Sequence, residues 1–303
     1  MYDIIIVGGG PAGLTAAVYA RRANRSVLVI EKDSFGGQIT FSPNVENIPG
    51  FEAVSGNEFA EKLVGQALAQ GADMESAEVT GIVRGENGVF TVLTDGDAWL
   101  SRSVILASGA KHRTLGLEGE EELIGNGISF CAVCDGAFYR GRQVAVVGGG
   151  NSALQETLLL ADLCEKVTVI QNLPFLTGEK KLADAVTAKP NVEVITSAVV
   201  DAYLGTPDTG VTGVRIKKDG GELIELPAAA VFLAVGLVPQ NEAFADLVAL
   251  DERGYADSGE NCLTKTPGLF VAGDCRAKRI RQVTTAAADG AVAALAACDY
   301  LGE

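Results

Sequence analysis

Apolar residues in this chain gather in short unbroken runs, and two of these runs are closed by glycines and followed by a segment with helical spacing. The first is DIIIV, residues 3–7. A run without polar alternation predicts a strand covered on both faces, as in a parallel sheet. Gly8-Gly9-Gly10-Pro11-Ala12-Gly13 turns from it into a helix predicted to reach about Asn24, and SVLVIE gives a second strand ending at Glu31. Adding 140 to each number finds the pattern again. QVAVV (143–147) is a strand, Gly148-Gly149-Gly150-Asn151-Ser152-Ala153 turns into a helix through about Leu163, and KVTVI leads to Gln171. Strand–turn–helix–strand, used twice, predicts an α/β fold with two Rossmann-like units.

Both turns have the spacing of a dinucleotide cradle. The first glycine allows the tight turn, the second lets backbone approach a pyrophosphate, and a small third residue (Gly13 or Ala153) lets the helix pack on the sheet. The phosphates then meet the free amides and positive dipole end of the helix. Candidate contacts are Gly8, Gly10, Pro11, Ala12 and Gly13 in the first copy, and Gly148, Gly150, Asn151, Ser152 and Ala153 in the second. In each copy the residue that reads the ribose falls 23 positions after the first glycine, against an expected spacing of about 20. In the first copy it is Glu31, whose carboxylate accepts ribose hydroxyls and repels a 2′-phosphate, as suits FAD or NAD. In the second it is Gln171, followed by Asn172-Leu173-Pro174-Phe175-Leu176-Thr177. That stretch has no carboxylate to select NAD and no arginine to hold the 2′-phosphate of NADP. Lys180 and Lys181 follow, either as solvated helix lysines or as partial substitutes.

Composition narrows the class. Glycine is 37 of 303 residues, about 12% against a usual ~7%, which suits a fold rich in strand-to-helix turns. A net charge of −15 argues against nucleic acid as a partner, because such affinity comes largely from cationic contacts. One basic cluster, Arg276, Lys278, Arg279 and Arg281, is either a solvated face or a contact for cofactor or partner. No apolar run is long enough for a membrane span, and MYDIIIVGGG shows no secretory pattern, so the expectation is a cytoplasmic protein.

Six cysteines stand at 131, 134, 164, 262, 275 and 298, and only Cys131 and Cys134 are close. Two cysteines separated by two residues at a helix start close a disulfide easily, and the helix N-terminus lowers the thiolate pKa of the first. Half of a zinc site would need two further ligands at metal spacing. The one histidine is His112 and the other cysteines are scattered, so no metal is expected. Asp135 follows the pair, as general acid, helix cap or both.

CAVCDGAFYRG in register with VAVVGGGNSA, together with VGGGPAG, GGQIT, VENIPGF, ILASGA, LFVAGDC and RQVTTAAADG, resembles the low-molecular-weight thioredoxin reductases over essentially the whole chain. The resemblance implies an FAD domain in two parts, 1–112 and 241–303, with a nicotinamide-type domain, 113–240, inserted between them and carrying the dithiol, and a homodimer. It implies flavin contacts at Lys32, Gly37, Gln38, Asn47, Ala107, Gly109, Gly273, Asp274, Arg281, Gln282 and Val283, with Asp274 reaching the ribityl chain. It also implies that Cys134 faces the flavin, that Cys131 attacks the partner's disulfide, and that Asp135 protonates the departing thiolate. The departure is at 171–177, where typical members carry HRRxxxR. Relatives without that arginine set take electrons from ferredoxin, and others use NADH.

The expected activity is therefore FAD-dependent reduction of thioredoxin or a thioredoxin-like protein through Cys131 and Cys134, with NADPH, NADH or ferredoxin as donor. Two alternatives stay open at this point. A dithiol oxidase would run the electrons to oxygen, and a flavin-bound redox sensor would not turn over at all.

Overall fold

The computed structural model describes residues 1–42 and 45–302. In chain order the first part forms β1 (Tyr2–Val7), α1 (Pro11–Arg22), β2 (Val27–Glu31), α2 (Gly56–Ala69), β3 (Asp73–Ser76), β4 (Val79–Arg84), β5 (Phe90–Thr94), β6 (Ala98–Leu106) and β7 (Ala110–His112). The middle forms α3 (Glu120–Leu123), β8 (Ile128–Ser129), α4 (Ala132–Asp135), β9 (Gln143–Val147), α5 (Asn151–Leu163), β10 (Lys166–Ile170), α6 (Lys180–Thr187), β11 (Val192–Ile195), β12 (Ala198–Thr206), β13 (Gly210–Lys218), β14 (Leu223–Pro227) and β15 (Ala230–Leu233). The last part forms β16 (Leu237–Pro239), β17 (Leu269–Val271) and α7 (Val283–Tyr300). The described residues divide into two compact units: 1–42, 48–111 and 238–302 in one, 45–47 and 112–237 in the other.

In the first unit the sheet runs β3-β2-β1-β6-β5-β4, with β17 also on β6. β1 pairs in parallel with β2 and β6, while β5 pairs with β6 in antiparallel. Both faces of the parallel part are covered. Ile4 and Ile6 point into a core with Leu14 of α1 and Ala293 and Ala297 of α7. Ile5 and Val7 point into another with Phe90, Phe244 and Val248. That is why β1 reads as an unbroken apolar run.

The second unit has a wholly parallel sheet, β11-β10-β9-β15-β8, and an antiparallel sheet, β12-β13-β14. The repeat extends to individual hydrogen bonds. Gly8 N–H donates to Ile30 C=O at 2.8 Å and Gly148 N–H to Ile170 C=O at 2.9 Å. Leu14 N–H donates to Gly10 C=O at 2.9 Å, and Leu154 N–H to Gly150 C=O at 3.0 Å. Gly8 (φ +108°) and Gly148 (φ +130°) both lie in the region that excludes side chains, and a Cβ on either would fall within 2.6 Å of the carbonyl oxygen of Ala107 or Ala234.

Candidate functional site

The dithiol is set by a very short helix. Cys131 is the N-cap of α4 in extended conformation. Its Sγ accepts the Cys134 N–H at 3.2 Å, and its carbonyl accepts the Asp135 N–H at 3.0 Å. This brings the two Cα atoms to 5.3 Å, and Cys131 and Cys134 are joined as a disulfide. Asp135 closes α4 and is not its N-cap. Its Oδ2 accepts the Ser129 hydroxyl at 2.5 Å, and the same hydroxyl oxygen accepts the Cys131 N–H at 3.1 Å. Burial raises the Asp135 pKa, and the Ser129 hydrogen bond opposes the rise only in part. Asn47 Nδ2 lies 4.0 Å from Cys134 Sγ.

The first cradle sits between β1 and α1. Gly10, Pro11, Ala12 and Gly13 form the start of α1, whose first amides lack helical partners. Glu31 ends β2, with Oε2 accepting the Gly9 N–H at 2.7 Å and Oε1 the Asp33 N–H at 2.9 Å. Each oxygen keeps lone-pair capacity for a ribose hydroxyl. A cavity of about 480 Å³ is lined by Gly8, Glu31, Lys32, Ser108 and Gln240 among others. Gly37 lies against Gly10, where a Cβ would come within 3.1 Å of the Gly10 Cα. Gln38 follows in the same 3₁₀ turn, and Ala107 and Gly109 follow β6. The donor set and the open backbone around Gly10 fit the pyrophosphate and adenosine ribose of FAD.

Gly273, Asp274 and Cys275 form a 3₁₀ turn after β17. Arg281, Gln282 and Val283 lead into α7, with Gln282 as its N-cap in a capping box. The Arg281 guanidinium lies over the Tyr255 ring at 4.1 Å, and its Nε donates to Asp274 C=O at 3.3 Å. Burial raises the Asp274 pKa, while the nearby Lys278 and Arg281 charges pull it back.

The basic cluster is only partly a solvated face. Arg276 is 3% exposed and binds Asp289 Oδ1 through NH2 at 2.9 Å, and Lys278 Nζ meets Asp289 Oδ2 at 3.1 Å and Asp274 Oδ1 at 3.1 Å. Arg279 is exposed. Asp289 also accepts the Gly273 N–H at 3.0 Å, so it holds the turn that carries Asp274. Replacing Asp289 by Asn leaves two buried cations short of a counter-charge. A loss of about 3–5 kcal/mol is expected, read as a lower urea midpoint, with weakened FAD retention alongside it.

In the second cradle the Gln171 side chain is buried over Gly149, where a Cβ would lie 2.6 Å from its Cδ, and Nε2 donates to Phe175 C=O at 3.2 Å. Leu173 and Phe175 are exposed at 40% and 59%. Asn151 Oδ1 accepts the Glu179 N–H at 2.7 Å, Ser152 is exposed, and Ala153 is fully buried against the sheet. Lys180 and Lys181 are exposed at the start of α6. Beside Asn172, Lys217 and Lys218 of β13 line an open cavity of about 360 Å³.

The other thiols, Cys164, Cys262, Cys275 and Cys298, are free and buried. Cys275 Sγ is directed at the Ala272 carbonyl at 3.2 Å, and its pKa is raised by burial. His112 stacks on Phe130 at 4.5 Å, and burial drops its pKa to about 4, so it is neutral at pH 7. Among the described residues no cluster could hold a metal ion, and no helix is long and apolar enough to cross a membrane.

The family model for pyridine nucleotide-disulphide oxidoreductase matches residues 2–290. The chain belongs to that family. Within it, this oxidoreductase is 43% identical to a thioredoxin reductase of Treponema pallidum, covering 99% of this chain and 97% of the relative. It is 40% identical to one of Listeria monocytogenes, covering 100% and 95%. The crystal structure of thioredoxin reductase from Streptococcus pyogenes MGAS5005 superposes with a TM-score of 0.94 at 38% identity, over 99% of this chain and 98% of that one. The chain is an FAD-dependent disulfide oxidoreductase.

Three residues of this oxidoreductase's site escape sequence reasoning. Ser129 lies in a two-residue strand with no pattern of its own, and Asp289 lies in an alanine-rich helix with no local partner. Glu156 lies on α5, and burial raises its pKa to about 8. The one available signal was a polar residue placed on an otherwise apolar helix face.

Proposed function

We propose that this enzyme is a thioredoxin reductase, passing electron pairs by way of FAD and the Cys131–Cys134 disulfide to thioredoxin or a thioredoxin-like protein. The observation that carries this reading is the disulfide-bonded CxxC turn with a buried carboxyl, Asp135, at its end. The names of the relatives support the substrate. FAD, when bound, supplies the two-electron carrier. Gly10 to Gly13, Glu31 and Asp274 hold it. Cys134 receives the electron pair and one proton is taken up, so that the S–S bond opens to a thiolate and a thiol. Cys131 then attacks the substrate disulfide and Cys134 resolves the mixed disulfide. Asp135, held by Ser129, gives a proton to the departing sulfur, and burial supports this by favouring its protonated form. The resemblance supports a homodimer in the cytoplasm.

The donor we infer is not NADPH. The uncharged, exposed Asn172, Leu173 and Thr177 stand where the arginines of HRRxxxR would grip a 2′-phosphate. Two missing charge-assisted contacts amount to about 3–6 kcal/mol, on the order of 10² to 10⁴ in affinity. Lys217 and Lys218 offer mobile point charges in place of a planar fork. Mixed anaerobically, the oxidised enzyme should bleach quickly with NADH or reduced ferredoxin and slowly with NADPH. Asn172→Arg with Thr177→Arg should tighten NADPH binding by about 10²-fold or more. Fast bleaching of the unaltered enzyme by micromolar NADPH would contradict this choice of donor and leave the dithiol chemistry standing.

A further inference from the structure

Reduction of a disulfide to two thiols takes up two protons with the electron pair, and returning those electrons to a substrate disulfide delivers two protons to it. Asp135 carries one proton at a time. A second carboxyl lies on the other side of the same turn. Helix α5 packs against α4 and the 3₁₀ turn Gly136–Tyr139 that follows it. Gly136 permits the approach, since a Cβ there would already be 3.1 Å from Leu160 Cδ2. Glu156 is one helical turn before Leu160 and therefore on the same face of α5. Its carboxylate accepts the N–H of Ala132, the residue after Cys131, and feels the Asp135 charge. Asp135 Oδ1 and Glu156 Oε2 are both buried, and neither has a hydrogen-bond partner. An unpartnered buried carboxylate oxygen is costly, and protonation relieves that cost at each of the two carboxyls.

We propose that Glu156 is a positioning residue of the dithiol site, a second buried carboxyl that holds a proton of its own beside Asp135 and fixes the CxxC turn through the Ala132 amide. The inference rests on the dithiol reading above. In the step it serves, the Cys134 thiol gives its proton to the carboxylate member of the pair, its sulfur attacks the mixed disulfide, and the protonated member gives a proton to the departing substrate sulfur. Atoms and electrons balance with no further reactant. Burial favours the protonated form of Glu156 up to about pH 8. The other ionisable groups around α5 are in different positions. Tyr139 on the 3₁₀ turn has its pKa raised by burial and by Asp135, with Arg142 opposing. Lys166 of β10 is paired with Glu193 at 2.7 Å, and Lys180, Lys181 and Asp184 of α6 are exposed.

The test is the rate of alkylation of Cys131 and Cys134 by iodoacetamide in the reduced holoenzyme, followed by mass spectrometry from pH 5 to 10 and independent of turnover. The unaltered protein should show, besides the thiol ionisation, an inflection near pH 8. Glu156→Gln should lose that inflection and Glu156→Asp should restore one, with urea midpoints confirming that both are folded. Coincident curves for Glu156→Gln and the unaltered protein would overturn the proposal while leaving the dithiol reading intact. Inert thiols in the unaltered protein would overturn both. A second measurement needs no variant: the infrared band of a protonated carboxyl, shifted by ¹³C-labelling of glutamate, should fade as pH rises through about 8. Absence of such a glutamate band at pH 6 would equally overturn it.

Discussion

Cys134→Ser should reduce thioredoxin turnover to background, a loss on the order of 10³-fold or more, while the protein stays yellow and folded. The size of the effect follows from the chemistry. A serine oxygen neither forms the disulfide with Cys131 nor resolves a mixed disulfide, and no other thiol can take its place. Cys164, Cys262, Cys275 and Cys298 are all buried. Cys131→Ser should fail at the other end of the exchange, with Cys134 left as a free thiol and no attack on the substrate. Insulin reduction coupled to thioredoxin reads both variants. The visible spectrum shows that flavin is retained, and turnover near the unaltered rate in Cys134→Ser would refute the mechanism.

The second large effect separates two neighbouring glycines. Gly10 has ordinary backbone angles, φ −79° and ψ −174°, and a Cβ there would find its nearest atoms 3.9 Å away. Gly13 is different, because a Cβ would sit 1.9 Å from the Gly8 carbonyl oxygen. Gly10→Ala should therefore leave the apoprotein's stability unchanged within about 0.5 kcal/mol. Its methyl group would nonetheless stand where the pyrophosphate must approach backbone, so FAD should bind about 10²-fold more weakly. Gly13→Ala should destabilise the fold itself by about 3 kcal/mol. Urea unfolding of the apoproteins, with FAD titration followed by flavin fluorescence, checks both. Equal FAD affinity in Gly10→Ala and the unaltered protein would remove the first cradle from the account.

What was legible in the sequence was what local geometry dictates. DIIIV and QVAVV had to be strands covered on both faces, and the glycines at 8 and 148 had to turn where a neighbouring carbonyl leaves no room for a side chain. The CxxC pair was legible because three residues of chain are enough to bring its sulfurs together. Contacts made across the fold were hidden. The run RAKRIR looks like a solvated face, yet Arg276 and Lys278 turn inward to Asp289, thirteen and eleven residues further on. Glu156 belongs to the dithiol site only because α5 packs against α4, and Ser129, although only two residues before Cys131, gives no pattern that marks its bond to Asp135. The termination of α1 at Arg22, short of Asn24, is local too: Asn24 takes φ +59°, which ends the helix.

The most direct test of the central claim is an anaerobic reductive titration of the FAD-loaded enzyme. If the electron pair passes between flavin and the Cys131–Cys134 disulfide, the unaltered chain takes up two electron pairs before its yellow colour is fully lost, and Cys134→Ser takes up one. Uptake of a single pair by both proteins, with Cys131 and Cys134 still disulfide-bonded at the end of the titration, would contradict it.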